Sequence, residues 1–332
     1  MPLVSLVPSP SPVPRTEDPR FADEPAPFDE SGLLDAAPLD ARTLAGDLPL
    51  GTRFVLRRDI TPVQYAFLQK NGYLVFAGVA SPAEVDRVLA EMDAVEAKLL
   101  ADGIEQVHGV PVWFGTGLDG EPFLQRMGFA SVHSDWLEAF VTDARFEPIR
   151  RLIGEDARIG TREKDGVVWN RYLNAPGSLR PDLAWHTDAL RDVFYNGEMP
   201  GPMLNIGLHF DRICPEDGGL RVLPGTHTQS GRSTLLHKIH FFTNDDDPRE
   251  VMVETWPGDL TVHDGRMWHR VKSSPFTGER SLRRSMYVPY VVDSYAPKEE
   301  GARTNTYMRV FDRIMKLKGT LARRRFRKSR RT

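Results

Sequence analysis

Residues 203–223 read MLNIGLHFDRICPEDGGLRVL. Two short apolar runs, "MLNIGLHF" and "GGLRVL", flank a reversal built from Asp211, Pro215, Asp217 and two adjacent glycines. Neither run is long enough for an ordinary helix, and Pro, Asp and Gly are the residues that turn an extended chain back on itself. The same texture continues on both sides. "VVWNRYL" (167–173) precedes it; "VMVETW" (251–256), "DLTVH" (259–263), "MWHRV" (267–271) and "RRSMYVPYVV" (283–292) follow. Short strands at near-regular spacing with no helix between them indicate an antiparallel sandwich or barrel. The expected fold is mainly β with helical support: a double-stranded β-helix (a cupin-like jelly roll) over about residues 166–295.

Upstream the pattern is helical. Thr61-Pro62 reads as an N-cap followed by Pro in the first turn, in a helix stopped at Asn71-Gly72, and "YLVFAGV" (73–79) reads as a strand. Ser81-Pro82-Ala83-Glu84 is a capping box, and Val85, Val88, Leu89, Met92, Val95 and Leu99 recur at helical spacing behind it. A helical layer over about residues 60–160 is therefore expected to pack against the jelly roll. Residues 1–52, dense in Pro, Asp and Glu, read as a mobile extension. One folded domain is expected over 53–300, and 301–332 forms a basic tail.

Charge divides the same way. Net charge is −3, yet Arg309–Thr332 holds eleven Lys/Arg against Asp312, so the preceding 308 residues carry about −13. Such a tail is usually solvated; it could meet an anionic substrate or surface, and nucleic acid is the less expected partner. Cys214 is the single cysteine, which excludes an intrachain disulfide and a thiolate metal cage and turns attention to His and carboxylate ligands. No run approaches the ~18 apolar residues of a membrane span, and the N-terminus has no secretory pattern, so a cytoplasmic setting is expected.

His-x-Asp on an extended strand puts both side chains on one face, and a second His from a neighbouring strand completes a facial triad. Such a triad leaves three positions of an octahedral iron for a chelating co-substrate and O2. The motif occurs three times: His133-Ser134-Asp135, His186-Thr187-Asp188 and His209-Phe210-Asp211. His133 sits where a helix begins, with Ser134 or Asp135 as its cap, and Asp211 opens a turn. His186 and Asp188 follow a strand and precede a stretch long enough for the chain to return beside it. In "PGDLTVHDGRMWHRV" (257–271), His269 begins a strand and is the preferred third ligand, with His263 the runner-up. The expected metal and catalytic residues are thus His186, Asp188 and His269. If 2-oxoglutarate chelates the iron, its distal carboxylate needs a cation, and Arg offers the fork that Lys lacks. Arg283 is the choice, with Ser285 two residues on and therefore on the same face; a register slip of one would substitute Arg284.

Together "WHTD" (185–188), "PEDGGLRVLPGTH" (215–227), "PGDLTVHDGRMWH" (257–269) and "LRRSMYVPY" (282–290) resemble the phytanoyl-CoA dioxygenase (PhyH) family of Fe(II)/2-oxoglutarate-dependent oxygenases, over about residues 60–295. The resemblance implies a jelly roll, Fe(II), 2-oxoglutarate and O2 as reactants, and the ligand set and Arg283 named above. It further implies that "VWNRYLN" faces the co-substrate, which adds Asn170 and Tyr172, and that Thr226 and His227 are structural. Asp188 stands where related halogenases lack a carboxylate, so halogenation is disfavoured. Gly207 stands where the family often has an aromatic, which suggests a roomier or more polar pocket. The expected function is hydroxylation of an unactivated C–H of a small molecule, lipid-like or a secondary metabolite, with release of succinate and CO2. The sequence leaves open the substrate, the choice between hydroxylation, desaturation and cyclisation, and the oligomeric state. Two rivals are a 2-oxoglutarate-independent cupin-like metalloenzyme and a non-catalytic jelly-roll binding protein.

Overall fold

The computed structural model describes residues 20, 23–30, 40–196, 201–230, 233–234, 237–239, 242–292 and 295–329. Its strands, in chain order, are β1 (Tyr73–Phe76), β2 (Gln106–Val107), β3 (Val110–Pro111), β4 (Trp113–Thr116), β5 (Pro122–Met127), β6 (Arg158–Ile159), β7 (Val168–Tyr172), β8 (Leu183–His186), β9 (Met203–His209), β10 (Gly219–Val222), β11 (Val251–Met252), β12 (Leu260–Asp264), β13 (His269–Lys272) and β14 (Arg283–Val291). The helices are α1 (Ala41–Asp47), α2 (Pro62–Asn71), α3 (Pro82–Asp102), α4 (Asp135–Val141), α5 (Glu147–Arg150), α6 (Asp188–Asn196) and α7 (Thr306–Ser329). A large antiparallel sheet runs β1-β12-β9-β14-β7-β5-β4, with β6 also on β14, and a smaller one runs β11-β10-β13-β8. The two sheets are the layers of a mainly antiparallel, cupin-like fold that does not close into a barrel.

Alternation along the central strands divides their residues between two environments. Leu204, Ile206 and Leu208 on β9, Leu260 and Val262 on β12, and Met286, Val288 and Tyr290 on β14 join one core with Val85, Val88, Met92, Val95 and Leu99 of α3. The opposite parity carries Asn205, Gly207 and His209, then Thr261 and His263, then Arg283, Ser285 and Tyr287. That second face is largely polar although its residues are buried or half-buried, which is the pattern of a sheet that lines a site rather than a core. Both expected N-caps are present. Thr61 and Ser81 accept from the backbone N–H of Gln64 (3.2 Å) and Glu84 (3.3 Å), and each of those side chains returns a bond to its cap.

Three features differ from the sequence expectation. The 60–160 layer holds, besides the expected strand β1, the β4–β5 hairpin, which extends the large sheet at the edge opposite β1. Residues 306–329, read from sequence only as a basic tail, form a helix. Described parts of the N-terminal extension pack on the body. Glu30 is buried and accepts from the Thr61 hydroxyl (2.6 Å), and α1 follows an Asp40 cap. The Arg53 guanidinium bonds both oxygens of buried Asp259 (2.9 and 2.7 Å) and reaches Glu24 (2.6 Å). Composition cannot anticipate such packing, because it rests on pairing one acidic side chain with one distant arginine.

Arg53 and Asp259 are both nearly inaccessible to water, so truncating Arg53 strands a buried carboxylate. Arg53→Ala should cost roughly 3–5 kcal/mol of stability, read as a lowered urea midpoint with an unchanged slope. A loss below about 1 kcal/mol, the range of exposed pairs, would mean that Asp259 is reached by water.

Candidate metal centre and its cavity

The small sheet brings His186 and His269 together by register: they are paired residues on β8 and β13. Asp188 follows two residues after His186, as the first residue of α6. The imidazole centroids of His186 and His269 lie 4.1 Å apart, and His269 Nε2 is 3.8 Å from Asp188 Oδ2. The candidate ligand atoms of all three residues fall within 4.8 Å of one another, and all three residues are buried. The backbone also selects the tautomers. His186 Nδ1 lies 2.9 Å from the Ala184 carbonyl and His269 Nδ1 lies 3.0 Å from the Met267 carbonyl. A carbonyl only accepts, so each Nδ1 carries the proton and each Nε2 presents its lone pair. Burial pushes the His269 imidazole down to about 4, so it is neutral at physiological pH. Burial alone would raise Asp188, but Arg191 and the surrounding histidines outweigh it and hold the carboxyl well below its usual range. Two imidazoles with their Nε2 lone pairs presented beside one carboxylate, in a buried pocket, fit the donor set of a divalent iron.

The other two His-x-Asp pairs come apart. His133 ends a short 3-10 turn and Ser134 caps α4, accepting from Leu137 N–H (3.1 Å). His209 is buried with Nε2 at 3.0 Å from the Thr261 hydroxyl, while Asp211 holds Arg284 (2.6 Å). His263 lies closer than a bystander would: its Nε2 is 3.7 Å from Asp188 Oδ2 and its ring 4.6 Å from that of His269. Neither of its nitrogens finds a hydrogen-bond partner. Asn205, which parity puts on the inner face of β9, donates to Asp188 Oδ2 at 2.9 Å and fixes the carboxylate.

The four expected co-substrate residues form a block across two paired strands: Arg283 is opposite Tyr172 and Ser285 opposite Asn170. All four are buried. The Arg283 guanidinium is anchored by backbone carbonyls, those of Pro181 (2.9 Å) and Lys272 among them, and no carboxylate pairs with it among the described residues. Burial lowers it to about 10, still a cation at neutral pH. Arg284 faces away, onto Asp211. Asn170 and Tyr172 line a cavity with His186, Asp188, Asn205 and His269.

Sequence reasoning missed two parts of this cavity. The space expected at Gly207 is filled by Tyr287, its register partner on β14; a Cβ at Gly207 would sit 2.4 Å from the Tyr287 ring. Parity on β14, which pairs Arg283 with Ser285, would have found Tyr287 as well. The other is the wall formed by Tyr307, Met308 and Phe311 on the first turns of α7.

The phytanoyl-CoA dioxygenase (PhyH) family model matches residues 68–284, about two thirds of the chain. The chain belongs to the PhyH family. It is thereby one of a family of iron- and 2-oxoglutarate-dependent oxygenases, and residues 186, 188, 269 and 283 all fall inside the matched segment. Solved structures share the PhyH fold at low identity. The non-heme alpha-ketoglutarate-dependent carbocyclase SnoK from nogalamycin biosynthesis is 19% identical, with 79% of this chain and 94% of that one covered and a TM-score of 0.54. HygX from Streptomyces hygroscopicus, with nickel and 2-oxoglutarate bound, is 17% identical over 75% and 94%, with a TM-score of 0.52. The epimerase SnoN, from the same biosynthesis as SnoK, is 20% identical over 74% and 86%, with a TM-score of 0.50. No curated protein sequence matches this PhyH-family chain significantly.

Proposed function

We propose that this chain is an Fe(II)- and 2-oxoglutarate-dependent dioxygenase that hydroxylates an unactivated C–H bond of a small molecule, lipid-like or a secondary metabolite, releasing succinate and CO2. The observation that carries this reading is the pair of imidazoles whose Nδ1–H groups are tied to backbone carbonyls beside a buried carboxylate, in a chain of the PhyH family. His186 and His269 would hold the iron through Nε2 and Asp188 through a carboxylate oxygen. Iron chelated by 2-oxoglutarate supplies, when bound, an oxidant for otherwise inert C–H bonds. The chain's own work is placement. Asn205 orients Asp188, and the two backbone carbonyls orient the imidazoles. Arg283 would take the distal carboxylate of 2-oxoglutarate with the Ser285 hydroxyl, and Asn170 and Tyr172 would flank it. Tyr287 and the α7 residues Tyr307, Met308 and Phe311 form part of the cavity wall.

Hydroxylation is favoured over halogenation by the presence of Asp188, which occupies the position a chloride would need. SnoK and SnoN share this fold and are described as a carbocyclase and an epimerase. Ring closure and epimerisation leave no oxygen in the product. The test is therefore succinate formation with iron and 2-oxoglutarate across candidate substrates, with the product mass measured. A product heavier by one oxygen atom supports hydroxylation. Succinate without oxygen gain would replace that reading with desaturation, cyclisation or epimerisation. Substrate turnover without 2-oxoglutarate would select a cupin-like metalloenzyme instead.

A reducing cytoplasm suits the single Cys214, and no described helix is long and apolar enough to cross a membrane. The basic tail is proposed as a solvated appendage beyond the first turns of α7. Truncation after Lys318 removes seven Lys/Arg but keeps Tyr307, Met308 and Phe311, and should leave turnover of a free small substrate unchanged. A large rise in KM that added salt reproduces in the full-length protein would show instead that the tail captures an anionic substrate.

A further inference from the structure

Among the described residues, five arginines are buried: Arg53, Arg126, Arg180, Arg270 and Arg283. Three of them have carboxylate partners, Asp259 for Arg53, Asp165 for Arg126 and Glu250 for Arg270. Arg283 has none and is the cation proposed for 2-oxoglutarate. Arg180 has none either. It sits in the loop between β7 and β8, and its one hydrogen bond is from Nη1 to Asn170 Oδ1 at 3.3 Å. Its guanidinium carbon lies 5.3 Å from the ring centroid of Trp113 and 5.4 Å from that of Tyr172. All four residues line the cavity that contains His186, Asp188 and His269.

Removing a guanidinium from water costs several kcal/mol, and cation–π contacts with one amide bond return only part of it. A guanidinium has five N–H donors, and Asn170 engages one. Burial lowers Arg180 to about 10, so it stays charged at neutral pH. No carboxylate pairs with it among the described residues: Asp182 acts on it without an ion-pair contact, while Arg126 lies over the same Trp113 ring at 5.1 Å and Arg126 Nη1 is buried without a hydrogen-bond partner. Lys164 and Arg191, the other cations lining the cavity, face Asp192 and Asp165. Phe311 of α7 packs on Trp113 at 5.5 Å. A positively charged, aromatic-walled end of the cavity is thus built from Trp113, Arg126, Tyr172, Arg180 and Phe311.

We propose that Arg180 is a substrate-recognition residue, receiving the oxyanion of an organic substrate (a carboxylate or a phosphate) whose apolar body lies against Trp113 and Phe311. This rests on the reading in which Arg283, not Arg180, holds 2-oxoglutarate. Arg283, on the large sheet, is fixed in place by the backbone carbonyls of Pro181 and Lys272, whereas Arg180 lines the cavity beside Trp113, on which Phe311 of α7 packs.

The test is calorimetric binding of benzoate, phenyl phosphate and neutral benzamide to the full-length protein, kept anaerobic with Fe(II) and saturating 2-oxoglutarate. At least one anion should bind ~10-fold more tightly than benzamide, the effect of a single charge-assisted bond. Benzoate or phenyl phosphate as the winner tells which oxyanion the site takes. Arg180→Gln should erase the preference, Arg180→Lys should restore part of it, and both should keep 2-oxoglutarate affinity within about twofold. Equal binding of all three probes by the unaltered protein, or a preference that survives Arg180→Gln, would overturn the proposal. So would a loss of 2-oxoglutarate affinity in Arg180→Gln with none in Arg283→Gln, which would make Arg180 the co-substrate clamp. If the unaltered protein binds no 2-oxoglutarate, the co-substrate reading fails by itself, and the benzoate–benzamide comparison without it still decides on Arg180.

Discussion

Asp188→Ala is expected to weaken Fe(II) binding by more than ~100-fold and to abolish succinate formation. Losing a group that merely orients a ligand costs ~10–100-fold in metal affinity, and Asp188 would contribute the charge that balances the metal. His186→Ala and His269→Ala should match it, because each removes one of the two nitrogens whose lone pair the backbone has aimed. Anaerobic titration with Fe(II) gives the affinities directly. His209→Ala should bind iron normally, since its Nε2 is committed to Thr261. His263 sharpens the measurement, as it stands 3.7 Å from Asp188. If His263→Ala loses the metal as completely as the others while His269→Ala keeps it, the two histidines exchange roles. If His209→Ala loses it and His186→Ala does not, the wrong His-x-Asp has been chosen.

Arg283→Ala should raise the KM for 2-oxoglutarate by at least ~30-fold, the effect of removing one partner of a buried charge pair worth ~2–5 kcal/mol. Arg283→Lys should recover only part, because an ammonium cannot reproduce the two-pronged contact. Iron affinity should barely change in either. Arg284→Ala should leave KM alone, since Arg284 is spent on Asp211 on the other side of the strand. An exchange of these phenotypes would mean a register shift of one on β14; no effect from either would remove the oxoglutarate assignment.

The parts of this molecule that were legible in the sequence are those where a local rule has a structural period. Strand parity predicted that Arg283 and Ser285 share a face, and the Asn170–Ser285 and Tyr172–Arg283 pairs show why one face suffices. The N-cap at Thr61 and the capping box at Ser81 located two helices because their hydrogen bonds close within four residues. The β4–β5 hairpin escaped because Gly115, Gly117, Asp119 and Gly120 break its alternation and its pairing partner, β7, lies some forty residues away. The basic composition of residues 309–332 masked an apolar set, Tyr307, Met308, Phe311 and Met315, whose spacing is helical. Arg180 was invisible for a different reason. It lies in a loop with no periodicity, and its significance is the lack of a carboxylate partner, which only a folded chain displays.

The wall contributed by α7 has a consequence for how such a protein can change. The family segment ends at residue 284, and Tyr307, Met308 and Phe311 come after it. The proposed metal ligands and the Arg283 clamp are therefore written in one stretch of the gene, and one side of the chamber in another. Drift, exchange or extension of the last helix can reshape the chamber while the iron chemistry stays under its own selection. Among relatives, turnover of very different molecules would then need no change in the residues that hold the metal.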